Sequence, residues 1–381
     1  MSDAPRSRFA RGIQRFTIAI HVPVSIAFGE LARRLGAPWP FAIGAGLALL
    51  SFAPFPGVLA SLLWDRPRST ARRLLLEEPY YVHWCACFAS ALPITLACVI
   101  WPLVCVARSV PVALPSTFAL AVHAFFVVLA AYGVLVRRKR VVVNHVDILI
   151  EGLPKAFDGY RIAHLSDLHV GGFSPLSTAR RWAAIANAQK PDLTVVTGDL
   201  VTSGTAFHDD IAEAIAALEA KDGTIVSMGN HDYFGEGDPL VQKLRDRGVA
   251  VLRNASQLIR RAEDELRIGA LDDTWTQRDD LARLLQDGIP TVLLAHDPDL
   301  FFPAAAAGVP LTLSGHTHGG QVALPFFAER WNPARFQHKH TLGLYRIGDA
   351  YHYVHGGLGV TGPPVRLGVP PEVAVITLRR V

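Results

Sequence analysis

From Asp167 to Asp199 the sequence advances 32 positions, and from Asp199 to Asn230 it advances 31. That interval is the length of one strand–helix–strand unit and predicts an α/β domain built on parallel strands. Leu176, Ala179, Trp182, Ala183 and Ala186 fall on one face of a helix, and a strand follows at 192–196. Ile211, Ile215 and Leu218 repeat the pattern before a strand at 224–228. Asp238-Pro239 supplies the start of a further helix that ends at Gly248. Strands at 291–295 and 310–313 carry the series on.

Each of these strands runs into a short cluster of polar residues. The clusters are Asp167-Leu168-His169, Gly198-Asp199, Gly229-Asn230-His231-Asp232, Ala295-His296 and Gly315-His316-Thr317-His318-Gly319-Gly320-Gln321. Ligands at the carboxyl ends of parallel strands are where α/β sheets place their sites. Two carboxylates (Asp167, Asp199), the amide of Asn230 and four imidazoles (His169, His296, His316, His318) suffice for two divalent cations. Such a pair suits attack of hydroxide on phosphorus, and His231 is left over for proton transfer. Asp167 and His169 are two apart, as are His316 and His318. In extended backbone each pair points one way and shares one ion.

The five clusters together resemble the calcineurin-like metallophosphoesterases, over roughly residues 141–381. The run Phe157-Asp158-Gly159-Tyr160-Arg161-Ile162 and the final Gly-His-Thr-His-Gly-Gly-Gln resemble its membrane-associated branch. That branch includes phosphodiesterases and the hydrolases of UDP-2,3-diacylglucosamine in lipid A biosynthesis. The resemblance implies a four-layer αββα sandwich, with 351–354 and 373–378 as strands of its second sheet. It implies that Asp167, His169, Asp199 and His318 hold one ion, and that Asp199, Asn230, His296 and His316 hold the other. The ions would be Mn²⁺ first, with Fe, Zn, Co or Ni as alternatives. His231 matches the family's proton donor, Asp232 is expected to orient it, and Gly229 to allow the tight turn.

Two departures stand out. No tyrosine follows Asp199, which argues against the purple-phosphatase type. Val354-His355-Gly356-Gly357 stands where many relatives in this branch carry a Ser/Asn-Arg pair before glycine, so His355 reads as a loop histidine. His145, His164 and His208 read as structural, and His338-Lys339-His340 as a solvated loop. The aromatic run 325–336 follows the last cluster; its rings suit lipid or an acyl chain, with Arg330 and Arg335 meeting phosphate, or else fill the core.

Residues 1–140 form a separate region. Apolar stretches at 39–64, 83–106 and 112–136 approach or exceed the roughly 20 residues that cross a hydrocarbon core. A fourth, 16–29, reads as a short span or an interfacial helix. With four spans, segments 1–15, 65–81 and 137–140 share one side with twelve Lys/Arg, and only Arg33, Arg34 and Arg108 lie opposite. The positive-inside rule then predicts a multi-pass protein of a bacterial-type inner membrane, with N-terminus and catalytic domain cytoplasmic. Gly44, Gly46, Pro54 and Pro56 read as helix-packing and kink residues. The four cysteines all fall within these apolar stretches and read as small apolar residues.

Residues 1–140 hold 15 Lys/Arg and 5 Asp/Glu, whereas 141–381 hold 22 and 28. The basic charge therefore flanks the membrane helices rather than the catalytic region, and no nucleic-acid partner is expected. The reading is a membrane-anchored phosphoesterase in which metal-bridged hydroxide cleaves a phosphodiester or pyrophosphate of a lipid-linked substrate. A metal-bound receptor or scaffold, and a nuclease of the same fold, are the other classes these residues allow.

Overall fold

The computed structural model describes residues 3–53, 55, 57, 65–110, 115–289 and 291–381. It divides into two compact units. One comprises Met1–Leu63, Arg68–Val136 and Pro363–Val365, and the other Trp64–Pro67, Arg137–Gly362 and Arg366–Val381.

The apolar N-terminal sequence forms helices α1 (Asp3–Arg34), α2 (Pro40–Phe52), α3 (Glu78–Ala107) and α4 (Ser116–Ala131). Their shared core is small: Ile20, Val24 and Ala27 of α1 meet Cys87 and Ile94 of α3 and Ala119 of α4. Larger side chains such as Leu92, Leu103 and Val128 point outward, each about two-thirds or more exposed. Large apolar residues turned outward is the distribution that lipid, unlike water, permits. Gly44 illustrates the inner side, since an added Cβ would collide with the Ser25 carbonyl of α1. Gly46 has open space around it instead.

Among the described residues, three helical stretches are long and apolar enough to cross a membrane: Ala10–Arg34, Thr70–Ala107 and Ser116–Lys139. This corrects the reading of 16–29 as a short segment. The apolar run is only the middle of a longer helix, because Arg11, Arg15 and the polar residues around them continue the same turns. The predicted span at 39–64 is represented by the 13-residue α2, and residues 54, 56 and 58–64 lie outside the described residues.

The second unit is built from twelve strands in chain order: β1 (Val142–Ile150), β2 (Arg161–Leu165), β3 (Leu193–Thr197), β4 (Thr224–Ser227), β5 (Ala250–Val251), β6 (Ala255–Arg261), β7 (Asp264–Ala270), β8 (Val292–Leu294), β9 (Leu311–Ser314), β10 (Gly343–Ile347), β11 (Ala350–Val354) and β12 (Glu372–Arg380). They form two six-stranded sheets, ordered β1-β12-β2-β3-β4-β5 and β10-β11-β9-β8-β7-β6. Strands β2, β3 and β4 are parallel, and so are β7, β8 and β9.

The sheets face each other across one apolar layer. Ile162, Val195, Ile225 and Ile376 of the first meet Ile268, Val292, Leu311 and Leu313 of the second. The outer face of the first sheet is covered by α5 (Leu176–Asn187), α6 (His208–Ala216) and α7 (Gly237–Arg245) through Trp182, Ile211, Ile215 and Leu240. The short helices α8 (Leu281–Gln286) and α9 (Phe301–Ala306) cover the second through Leu284 and Ala304. The order is helix, sheet, sheet, helix.

One strand departs from expectation. Residues 373–378 belong to the first sheet, not the second: β12 lies between β1, which it parallels, and β2, which it opposes. Val373 points to the helices while Ala374 and Ile376 point between the sheets. A strand buried on both faces carries no pattern that says which sheet it joins.

Candidate metal centre

Five chain segments leave the carboxyl ends of β2, β3, β4, β8 and β9 and converge. Asp167 follows β2, Asp199 follows β3, Asn230 follows β4, His296 follows β8 and His316 follows β9. Both parallel runs therefore deliver their polar residues to one end of the sandwich.

The turn that brings each side chain inward is made in left-handed backbone. Asp167, His169, Asp199, His316 and His318 have φ of 51°, 43°, 53°, 69° and 52°. For non-glycine residues such conformations cost on the order of 1 kcal/mol or more each and cluster at functional sites. This corrects the extended-backbone argument for the Asp167/His169 and His316/His318 pairs. The paired side chains do meet, but through alternating left-handed turns rather than through the two-residue period of a strand. Gly198 (φ 73°) precedes Asp199, and a Cβ there would stand 2.7 Å from the Gly229 Cα. Gly198→Ala is therefore expected to push the β3 and β4 loops apart, lowering the melting temperature by several degrees and weakening metal retention; a melt and a metal assay on the variant check both.

The side chains fall into groups that share members. Asp167, His169 and His318 form one, His169, Asp199 and His231 another, and Asp199, His296 and His316 a third, with donor atoms within 4.8 Å inside each. His169 Nε2 lies 3.0 Å from His318 Nε2 and 3.5 Å from Asp199 Oδ2. His296 Nε2 lies 3.3 Å from the same Asp199 oxygen, and His318 Nε2 3.3 Å from Asp167 Oδ1. Asn230 Oδ1 is 3.1 Å from His316 Nδ1. Asp199 thus stands between two sets of donors.

The chemistry of this donor set fits divalent cations. Burial holds His169 and His316 down at about 3, so both are neutral lone-pair donors at neutral pH. Burial, reinforced by Asp199, pushes Asp167 up to about 7. Burial also opposes charge on His296, but Asp199 and Asp167 overcome it and lift the ring to about 10. A cluster this buried strains against its own charges, and cations between the carboxylates relieve that strain. His169 Nδ1 is buried and makes no hydrogen bond. His296 Nδ1 donates to the Thr197 carbonyl at 2.7 Å, which turns Nε2 towards Asp199.

His231 is half-buried beside these groups, its ring 4.7 Å from that of His169. Its Nδ1 donates to the Thr202 carbonyl at 2.7 Å, and its backbone N–H donates to Asp199 Oδ1 at 2.8 Å. Asp232 does not orient it, contrary to the sequence expectation. The Asp232 carboxylate accepts from the backbone N–H groups of Gly229, Leu200 and Val201, so it ties the β3 loop to the β4 loop. Adjacent residues point to opposite sides of the turn, which is why the neighbour in sequence is not the partner.

Arg330 and Arg335 are exposed, and Arg335 donates to the Glu329 carbonyl. Neither lines the cavity of about 240 Å³ that opens against His316, whose walls include Pro333, Gln337 and His338. His338, expected in a solvated loop, instead lies 5.3 Å from the His316 ring and 3.1 Å from Asp299 Oδ2. Trp275 flanks His316 at 5.4 Å and Phe234 flanks His231 at 4.6 Å.

Sequence reasoning passed over Arg366. It is fully buried, donates to the carbonyls of Gly356 and Gly359, and reaches within 3.1 Å of His318 Nδ1. Burial pushes it down to about 10, so it remains a cation at neutral pH. An arginine enclosed by Pro363-Pro364-Val365 and Leu367-Gly368 was the available signal. His355 is also fully buried, 4.8 Å from the ring of His164, and accepts from the Gly357 N–H. His164 and His208 are buried too, His164 against Thr197 Oγ1.

Residues 160–320 match the family described as calcineurin-like phosphoesterase. The uncharacterised metallophosphoesterase YkuE of Bacillus subtilis is 34% identical over 235 residues, 60% of this chain and 82% of that protein. The phosphodiesterase YaeI of Escherichia coli is 29% identical over 223 residues, 58% and 82% of the two chains. A transmembrane protein with metallophosphoesterase domain from Danio rerio is 30% identical over 272 residues, 66% of this chain and 61% of its own length. Fold, converging donors and relatives agree: the chain belongs to the calcineurin-like metallophosphoesterase family of metal-dependent phosphoric ester hydrolases.

Proposed function

We propose that this chain is a membrane-anchored phosphoesterase that hydrolyses a phosphodiester or pyrophosphate bond in a lipid-linked substrate, with UDP-2,3-diacylglucosamine as the type case. The observation that carries the reading is the position of Asp199 between two donor sets, with His231 alongside. Asp167, His169, Asp199 and His318 would hold one divalent cation, and Asp199, Asn230, His296 and His316 the other, Mn²⁺ being the first candidate. When bound, such a pair lowers the pKa of water towards neutrality and neutralises phosphoryl charge. His231, its Nδ1 proton committed to the Thr202 carbonyl, presents Nε2 for transfer of a proton to the leaving oxygen. The β3 and β4 loops, tied by Asp232, keep His231 and Asn230 in register with Asp199.

Two features favour a lipid-linked substrate. Three helical stretches are suited to crossing a membrane, an attachment that a soluble substrate does not require. Beyond the last cluster, Phe326, Phe327, Trp331 and Phe336 project at 53–99% exposure, with Arg330 and Arg335 among them. Exposed aromatics with interspersed cations suit a lipid headgroup region. Counted with the apolar stretch 39–64 as a fourth span, the distribution of arginines supports a cytoplasmic active site at an inner membrane.

The test is hydrolysis by the full chain in detergent with Mn²⁺. Lipid-linked pyrophosphates are expected to exceed simple aryl esters in kcat/KM by about 10²-fold or more, since remote binding energy is realised only with the whole substrate. Equal values for both would overturn the lipid clause and leave the phosphoesterase standing.

A further inference from the structure

Three imidazoles and a thiol meet inside the helical unit. His21 comes from α1, His83 and Cys87 from successive turns of α3, and His123 from α4. The donor atoms of His21, His83 and Cys87 lie within 4.8 Å of one another. The His83 ring is 5.1 Å from that of His21 and 5.8 Å from that of His123. Cys87 Sγ is 3.5 Å from His83 Nε2. His21, Cys87 and His123 are buried and His83 is half-buried.

The hydrogen bonds around the cluster prepare it for a ligand. His21 Nδ1 lies 2.7 Å from the Thr17 carbonyl. A carbonyl only accepts, so Nδ1 carries the proton and Nε2 carries the lone pair. That Nε2 is buried and has no partner. His123 Nδ1 lies 3.0 Å from Ser90 Oγ, whose own proton goes to the Ala86 carbonyl at 2.7 Å. His123 Nδ1 is therefore the donor, and its Nε2 also keeps a lone pair. Backbone and hydroxyl groups that fix a histidine tautomer in this way are the usual outer shell of a metal ligand. In an apolar span an ionisable side chain is costly and marks a function.

The geometry points to a further metal site, made by His21, His83, Cys87 and His123, that binds a thiophilic d¹⁰ cation, Zn²⁺ or Cu⁺, and clamps α1, α3 and α4 together. Three imidazoles and one thiolate make a four-coordinate set suited to either ion, whereas Mg²⁺ and Ca²⁺ require oxygen ligands that the cluster lacks. A tetrahedral zinc site holds its donors about 3.3–3.7 Å apart; those of His21, His83 and Cys87 already lie within 4.8 Å of one another, and the His123 ring stands beside His83. A thiolate offsets all the charge of Cu⁺ and half that of Zn²⁺, which lowers the cost of the ion within an apolar helix bundle.

The full chain in detergent or nanodiscs, loaded with Co²⁺, tests the site. No cysteine stands in the catalytic cluster, so a thiolate-to-cobalt charge-transfer band reports the helical unit alone. The band is expected in the wild type, absent from Cys87→Ser and weakened in His21→Ala, and unchanged in Cys98→Ser. Elemental analysis after separate Zn²⁺ and Cu⁺ loading decides between the ions: the preferred one is expected to bind with about one more equivalent in wild type than in Cys87→Ser. Should the variants fail to fold, the wild type still decides, because Zn²⁺ or Cu⁺ is expected to protect Cys87 from alkylation, read by mass spectrometry. Absence of a thiolate band, equal metal content in wild type and Cys87→Ser, or alkylation of Cys87 unaffected by either ion would each overturn the site.

Discussion

Asp199→Asn is expected to abolish both metal retention and hydrolysis. Asp199 Oδ2 lies 3.5 Å from His169 Nε2 and 3.3 Å from His296 Nε2, so one oxygen faces both donor sets. Two dications about 4 Å apart repel by roughly 16 kcal/mol even at an effective dielectric near 20. A shared carboxylate offsets much of that repulsion, and the neutral amide of Asn does not. Asparagine has nearly the same shape and its Oδ1 still accepts from the His231 N–H, so the fold is expected to survive. The expected result is loss of both ions by elemental analysis and a fall in kcat/KM of more than about 10³-fold, about 4 kcal/mol. A chelator should lower the melting temperature of the wild type further than that of the variant, because the variant has already lost the ions of the Asp199 centre. Retention of both ions with near-normal activity would show that Asp199 is not shared.

His231→Gln is expected to separate chemistry from metal binding. The imidazole is held by the Thr202 carbonyl, and its Nε2 is free for proton transfer. A general acid contributes about 10²–10⁴-fold, and its worth depends on how badly the leaving oxygen needs a proton. Esters with alkyl alcohol leaving groups should therefore slow by about that factor. Nitrophenyl esters, whose leaving group departs as a stable anion, should slow by less than about tenfold. Metal content should equal that of the wild type. Loss of an ion in this variant would instead make His231 a ligand, a role its place beside His169 and Asp199 allows on distance.

Much of the catalytic architecture was legible because it depends on short-range pattern. The 31- and 32-residue intervals match the strand–helix–strand units that carry Asp167, Asp199 and Asn230 to neighbouring strand ends. The faces of α5 and α6 follow from apolar residues three and four apart, and Trp182 and Ile211 are buried as that spacing requires. Spacing failed where the answer depended on backbone conformation. The left-handed φ of Asp167, His169, His316 and His318 is imposed by the convergence of the loops, so a two-residue separation gave a correct juxtaposition for a wrong reason. It failed again at Asp232, whose carboxylate serves three backbone N–H groups on neighbouring loops instead of the adjacent histidine.

The sequence by itself determined the class of fold, the apolar helices and the kinds of donor available, because periodicity and residue chemistry are local properties. Only the tertiary structure decided that β12 enters the first sheet between β1 and β2, since pairing across more than 200 residues leaves no mark on either strand. Only it brought Arg366 against His318, His338 against His316, and His21, His83, Cys87 and His123 into one helical core. Contacts of that kind are set by which apolar surfaces pack together, and the polar groups meet where that packing carries them.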